Sequence, residues 1–311
     1  MADDIIVVCG PTASGKTALA VELAKRFDAE IVSADSMQIY KEMNIGTAKP
    51  SEEEKCGIPH HMIDIVSVTE EYNVSRYVDD AEACIDKIKA AGKRVILAGG
   101  TGLYIDSLIN NVNFFDIAND YEYRERLCAV AGDKGVLAVH KMLESVDKPS
   151  ADRLHPNDLK RVIRALEVYK VCGRTMTEIQ MQSVRERKYN PVFIGLDYSE
   201  RAVLYSRIEK RVFEMIKDGL LDEARLLSEL DLSSTARAAI GYREMFDFLN
   251  NKLTFESAVE EICKKTRNYA KRQLTWFRKN KEINWLFPDL CSDNASELVD
   301  MAAEIVNFRE D

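Results

Sequence analysis

Short apolar runs separated by amphipathic stretches organise this chain. Ile5–Cys9, Glu30–Ser33, Val95–Ala98 and Val192–Leu196 have strand length and composition, and Asn284–Phe287 is a shorter fifth run. Between them apolar residues recur at helical spacing. Ala18–Phe27 follows the first run. In Val74–Ala91 the residues Tyr77, Ala81, Cys84, Ile85 and Ile88 share one side before Gly92 stops the helix. Strands alternating with helices predict a parallel sheet with right-handed crossovers, and ligands of such sheets bind beyond the carboxyl ends of the strands.

From about residue 114 to 188 the pattern changes: Tyr121–Ala131, Gly135–Ser145 and Asn157–Cys172 read as helices, with no competing strand signal. Helical spacing returns after the fourth strand, over Glu200–Asp218, Leu220–Leu230, Tyr242–Asn250 and Phe255–Lys279. Residues 1–113 and 189–311 are therefore expected to form an α/β core, with a mostly helical insertion over 114–188.

The first strand runs into Gly10-Pro11-Thr12-Ala13-Ser14-Gly15-Lys16-Thr17, which fits G-x-x-x-x-G-K-[ST], and a helix follows. That strand–loop–helix context is what a phosphate loop requires. Backbone N–H groups of the loop and the positive end of the helix cradle phosphate oxygens. Lys16 adds a point charge and Thr17 a hydroxyl for Mg²⁺. The expected fold is thus a P-loop NTPase-like parallel sheet flanked by helices, and the expected ligand is a phosphorylated small molecule.

Asp35 ends the second strand, facing that loop, as metal ligand, general base or structural cap; the strand ends alone leave the three open. A nucleotide kinase would carry an acid at the end of another buried strand. The third strand ends instead in Gly99-Gly100-Thr101-Gly102, where glycines allow close approach of a ligand to the backbone and the Thr101 hydroxyl. His60-His61 lacks a third metal ligand at usable spacing, so a hydrogen-bonding role is expected. Arg207 and Arg211, four apart on one helix, share a face that either clamps a second phosphate or meets solvent.

Composition refines this picture at one point. The 311 residues carry a net charge of −9, with 46% hydrophobic and 31% charged residues, as in an ordinary globular protein. Yet Lys264–Lys281 holds eight basic residues and no acidic one, interleaved with Tyr269, Trp276 and Phe277, and Lys160-Arg161 with Arg164 form a second cluster. Such clusters are either solvated faces or a nucleic-acid footprint. Seven cysteines at 9, 56, 84, 128, 172, 263 and 291 form no C-x-x-C pair and suggest no disulfide or zinc framework. The acidic start enters a core strand directly, and no apolar run nears the roughly 20 residues that cross a bilayer. A cytoplasmic location is expected.

Taken together and in order, the motifs resemble those of the tRNA dimethylallyltransferases. They are the phosphate loop Gly10–Thr17, Ser33-Ala-Asp-Ser-Met-Gln-Ile-Tyr40, Pro59-His-His-Met-Ile-Asp64, Gly99-Gly-Thr-Gly-Leu-Tyr104, Arg161 with Arg164-Ala-Leu-Glu167, Gly241-Tyr-Arg243, and Thr266 to Arg278. The resemblance spans about Ile5 to Leu286. It implies transfer of a dimethylallyl group from dimethylallyl diphosphate to N6 of adenine 37, beside the anticodon, in tRNAs reading codons that begin with U, with Mg²⁺ as cofactor. Asp35 is then the base. Lys16, Thr101 and Arg211 face the leaving diphosphate, with Mg²⁺ on Thr17. The implied tRNA contacts are Asp35, Ser36, Met37, Gln38, Thr101, Arg124, Lys160, Arg161, Arg164, Gly241, Tyr242, Arg243, Lys271, Arg272, Gln273, Thr275, Trp276 and Arg278. The helical insertion would grip the anticodon stem-loop, and a monomer is expected.

Two departures from the family pattern stand out. Lys160 replaces a usual glutamine, and Phe114-Phe115-Asp116 stands where prolines often occur. Ending at Asp311 without a zinc finger, the chain resembles bacterial members. Three rivals remain: a prenyltransferase of free adenine nucleotides, a phosphate-loop kinase, and a non-catalytic RNA-binding module. The helical insertion and basic segment disfavour the first, the missing strand-end acid the second, and intact Lys16, Thr17 and Asp35 the third.

Overall fold

The computed structural model describes residues 3–112, 114, 117–183, 185–291 and 295–308. It separates into two compact units, residues 1–109 with 187–311, and residues 110–186. Both junctions fall slightly earlier than the sequence pattern places them. Phe115 and Asp116 lie outside the described residues.

The first unit is built on β1 (Asp3–Cys9), α1 (Lys16–Phe27), β2 (Ala29–Ala34), α2 (Glu52–Lys55), β3 (His60–His61), α3 (Val74–Ala90), β4 (Arg94–Gly99) and α4 (Gly102–Ile109). The second contains α5 (Tyr121–Lys134), α6 (Val136–Val146), α7 (Lys148–Arg153), α8 (Leu159–Cys172) and α9 (Met176–Ser183). The chain then completes the first unit with β5 (Tyr189–Leu196), α10 (Arg201–Lys217), α11 (Leu220–Ser228), α12 (Ser234–Arg237), α13 (Tyr242–Leu249), α14 (Phe255–Phe277), β6 (Asn284–Leu286) and α15 (Ala295–Phe308).

Among the described residues the strands form one parallel sheet in the order β3-β2-β4-β1-β5-β6. The strands are apolar on both faces because helices cover both. Ile6, Val8, Ile31, Ile96 and Ile194 pack with Leu19, Leu23, Ala302 and Val306 of α1 and α15. Strand order reverses around β1, where the phosphate loop emerges, and a crevice opens at such a point. Register levels the strand ends: Cys9 pairs with Gly99 and Gly195, and Ala34 with Gly99. The phosphate loop, Asp35 and the Gly99–Gly102 turn thereby emerge along one rim of the sheet.

The sequence pattern overlooked β3 and the helices α2, α4, α7, α9, α12 and α15. β3 has two residues, too few to show a period; His61 Nε2 meets Glu30 Oε2 at 2.6 Å and His60 Nδ1 meets the Ile58 carbonyl at 2.8 Å. α4 is apolar on nearly every side and so lacks a polar face to reveal its period. α15 comes after a segment with little pattern of its own. Among the described residues no helix is long and apolar enough to cross a membrane.

In the helical unit Leu127, Val139, Leu143, Val162 and Leu166 form a separate core. Glu167 is fully buried there. It accepts from Arg124 Nε at 2.7 Å, from Arg164 and from the Asp120 N–H. Arg124 and Arg164 thus anchor this unit, an arrangement their sequence separation conceals. Lys160 and Arg161 are exposed, with Arg161 3.1 Å from Asp158.

Candidate active site

The phosphate loop is held from three sides. Gly10 has φ +146°, and a Cβ there would lie 2.5 Å from the Leu196 carbonyl oxygen, so β5 closes against it. Gly15 caps α1 with φ 94°. From α10, Arg207 Nε donates to the Ala13 carbonyl at 2.9 Å and Arg211 Nη1 donates to Thr12 Oγ1 at 3.1 Å. The helical spacing of these arginines brings both to the loop, Arg211 half-buried and Arg207 still exposed. Lys16 Nζ donates to the Pro11 carbonyl at 2.6 Å. A cavity of about 610 Å³ is lined by Ala13 to Ala18, Lys49, Arg207, Lys210 and Arg211, and also by Glu54, Glu214 and Asp218.

A second cavity, of about 290 Å³, shares Ala13, Arg211 and Met215 with the first. Ile208, Val212, Ala238, Ala239, Ile240 and Ile262 make much of its wall apolar. Asp35, Ser36, Met37, Gly241, Tyr269 and Arg272 line it as well. Asp35 Oδ1 accepts the N–H groups of Met37 at 2.9 Å and Gln38 at 3.3 Å, which fixes the carboxylate in an Asx turn. No hydrogen bond engages its other oxygen among the described residues. A cationic loop and an acidic base-like group thus share one rim, separated by the Arg211 guanidinium.

Positive charge is crowded and buried within the site. Burial, reinforced by the Arg211 charge, pushes the Lys16 ammonium down to about 8, with Asp35 opposing. Arg211 is lowered by burial and supported by Asp35. Tyr269 is pushed up to about 12 by burial and the Asp35 charge, so its phenol remains a donor. An anion bound on the loop would favour the charged form of Lys16. This fixes the sign for binding: above about pH 8 the free protein holds a largely neutral Lys16, and binding takes up a proton. A ligand's terminal phosphate ionises near about 6 and contributes no change there. Affinity for a phosphorylated ligand on the loop is therefore expected to fall as pH rises from about 8 to about 10. Calorimetry at about pH 9, in buffers of different ionisation enthalpy, checks this; binding without proton uptake would exclude it.

Several expected contact residues are turned to internal use. Thr101 lines neither cavity. Its hydroxyl accepts the Ser36 N–H at 3.1 Å and so supports the Asp35 turn. Tyr242 is fully buried and its hydroxyl bridges Glu223 at 2.6 Å and the Gly46 N–H at 3.0 Å. A Cβ on Gly46 would lie 2.6 Å from the Tyr242 ring. Glu223, which the sequence did not single out, also accepts the Asn44 and Ile45 N–H groups, and so fixes the segment that walls the first cavity. Gln38 donates its amide to the carbonyls of Thr47 and Ala48. Gln273 is 5% exposed, and Trp276 Nε1 donates to Asp106 at 2.6 Å. The glycines of the 99–102 turn make room for protein rather than ligand: a Cβ at Gly100 would meet Gln273 Nε2 at 2.2 Å, and one at Gly102 the Trp276 ring at 2.4 Å. Arg278 Nη2 donates to buried Asp197 at 2.5 Å. Arg243, Lys271, Arg272 and Thr275 remain on the surface.

Fold and site define an α/β protein whose phosphate loop opens on one cavity and adjoins a second, acid-bearing and partly apolar one. The sequence matches the IPP transferase family over residues 38–280. A tRNA dimethylallyltransferase of Caldanaerobacter subterraneus subsp. tengcongensis is 47% identical over 293 residues, covering 93% of both chains. One from Acetivibrio thermocellus is 46% identical, covering 92% of both. The structure is similar to the full-length tRNA isopentenylpyrophosphate transferase of Bacillus halodurans, with a TM-score of 0.73, 40% identity and coverage of 98% of this chain and 96% of that one. It is also similar to a eukaryotic dimethylallyltransferase acting on tRNA, with a TM-score of 0.78, 28% identity and coverage of 98% and 80%. The chain belongs to the IPP transferase family.

Proposed function

We propose that this chain is a cytoplasmic tRNA dimethylallyltransferase. It moves the five-carbon group of dimethylallyl diphosphate to N6 of adenine 37 in tRNAs reading codons that begin with U. The observation that carries the reading is the shared wall at Arg211, which puts a phosphate-binding loop and the Asp35 carboxylate on adjoining cavities.

That arrangement supports the following chemistry. The diphosphate lies on the loop N–H groups, Lys16 and Arg211, and the dimethylallyl group enters the apolar cavity, where exclusion of water protects a carbon that gains positive charge. The adenine amine is a weak nucleophile, its lone pair delocalised into the ring. Its nitrogen bonds to C1 of the donor as the C1–O bond breaks. Asp35 takes the N6 proton, and diphosphate departs with the electron pair. Adenine 37 must leave its stack first, at about a few kcal/mol. Phosphate contacts and stacking on aromatic residues offset that cost.

The exposed Thr17 hydroxyl opens on the first cavity, and among the described residues no three His, Cys, Asp or Glu side chains converge. Such a site suits Mg²⁺, which keeps several waters and takes its other oxygens from the substrate. When bound, the ion neutralises charge on the diphosphate.

Incubation with unmodified tRNA, Mg²⁺ and dimethylallyl diphosphate, followed by nucleoside mass analysis, tests the proposal; free AMP and ATP serve as parallel acceptor arms. A labelled prenyl donor that marks AMP but no RNA would overturn it in favour of a free-nucleotide enzyme. On the RNA side, Lys271 and Arg272 extend from α14, near the rings of Tyr205 and Tyr269. Replacing both by Ala is expected to weaken tRNA binding and to flatten its dependence on log salt by about one unit per lost contact. An unchanged slope removes them from the interface.

A further inference from the structure

Gln273 sits on the helix that carries this basic face, yet it points inward. Its Oε1 accepts the Thr12 N–H and its Nε2 donates to the Gly100 carbonyl, both at 2.9 Å. Thr12 belongs to the loop gripped by Arg211. Gly100 precedes Thr101, whose hydroxyl holds the Ser36 N–H beside Asp35. One buried amide therefore spans the segment assigned to the leaving group and the segment that supports the base. Both bonds are direct, and the missing Cβ at Gly100 is what lets the amide come this close. An amide suits both partners: the loop presents a donor and the glycine turn an acceptor, and the glutamine side chain offers one of each.

We propose that Gln273 is a positioning residue for prenyl transfer, setting the separation between the diphosphate loop and the Asp35 turn, and not a contact to RNA. The proposal rests on the transferase function proposed for this site. A reaction between two bound substrates is sensitive to such a spacing, because a misplacement of about 1 Å costs about a hundredfold in rate.

The experiment uses the full chain with unmodified tRNA and dimethylallyl diphosphate and compares Gln273→Leu with wild type. If wild type transfers no prenyl group, the transferase reading fails, and with it this proposal's premise. If wild type is active, Gln273→Leu is expected to lower the single-turnover rate by about a hundredfold. Its dissociation constants for tRNA and for the donor should stay within about threefold of wild type. A rate within about threefold of wild type overturns the proposal, as does a loss of tRNA affinity as large as the loss of rate. Gln273→Glu keeps the volume and the Thr12 acceptor but faces the Gly100 carbonyl with a second acceptor. It is expected to show the same split between rate and binding, and it decides the matter if the leucine variant does not fold.

Discussion

Asp35→Asn is expected to lower the rate of prenyl transfer by about 10²–10⁴-fold while leaving tRNA affinity within about twofold. The geometry makes this a clean substitution. Asp35 Oδ1 accepts the N–H groups of Met37 and Gln38, and an asparagine oxygen accepts the same two. The turn that carries Ser36 and Met37 into the cavity is thereby kept. What changes is the second oxygen, which becomes an NH₂ that cannot take a proton from the adenine amine. Loss of the Asp35 charge also removes support from Lys16 and Arg211. A modest weakening of donor affinity should accompany the rate loss, since both cations are then held less firmly in their charged forms. Single-turnover rates with saturating tRNA, together with direct binding measurements, separate the two effects. Near-normal transfer by the variant would remove Asp35 as the base and return it to the structural-cap alternative.

The same cluster discriminates against a kinase. Such an enzyme needs an acid at the end of a buried strand beside the phosphate-loop strand. Here β4 occupies that place and ends in Gly99, where even a Cβ would lie 2.2 Å from the Ala34 carbonyl oxygen. No carboxylate fits. The strand-end acid on the other side of β1 is Asp197 after β5, and Arg278 already occupies it.

Local pattern revealed what local physics determines. The apolar runs, the phosphate loop between β1 and α1, and Asp35 at a strand end were all visible because each depends on neighbours in the sequence. The functions of Gln273, Tyr242 and Glu223 were not visible. Their partners lie far away in the chain, at Thr12 and Gly100 for Gln273 and at Gly46 for Tyr242 and Glu223. A basic, aromatic-bearing helix such as α14 reads as a uniform RNA face, but one helix has two sides. Lys271, Arg272 and Thr275 fall on the solvent side, and Gln273, Leu274 and Phe277 on the buried one. Periodicity within Lys264–Lys281 held that distinction, and it was masked by the density of positive charge. Arg124 and Arg164 illustrate the converse. Both were expected to contact RNA, and tertiary folding gives both the buried carboxylate of Glu167. The glycine turn at 99–102 signalled close approach correctly, but the approaching group is the protein's own α14.

Arg211→Ala is expected to lower the single-turnover rate by about 10²–10³-fold, with a smaller effect on donor affinity. Arg211 alone among the cationic residues lines both cavities, and its guanidinium is fixed on Thr12 and the Ala48 carbonyl before any ligand arrives. Donors placed in advance where negative charge will develop stabilise the transition state without reorganisation at the moment of reaction. The arrangement costs stability in the free protein, because burial lowers Arg211 and the neighbouring Lys16 charge is held down by it. Removing Arg211 should therefore leave the melting temperature unchanged or raise it, and should move the Lys16 ionisation back toward the ordinary lysine range. That combination, a more stable protein with a slower chemical step, marks a charge retained for function. Arg211→Lys keeps the charge but loses the fork that spans Thr12 and Ala48, so its rate should fall between those of wild type and Arg211→Ala. Thermal melts, donor binding and single-turnover transfer on the three proteins provide the check. A destabilised Arg211→Ala whose rate loss equals its loss of donor affinity would make Arg211 a ground-state clamp with no preference for the transition state.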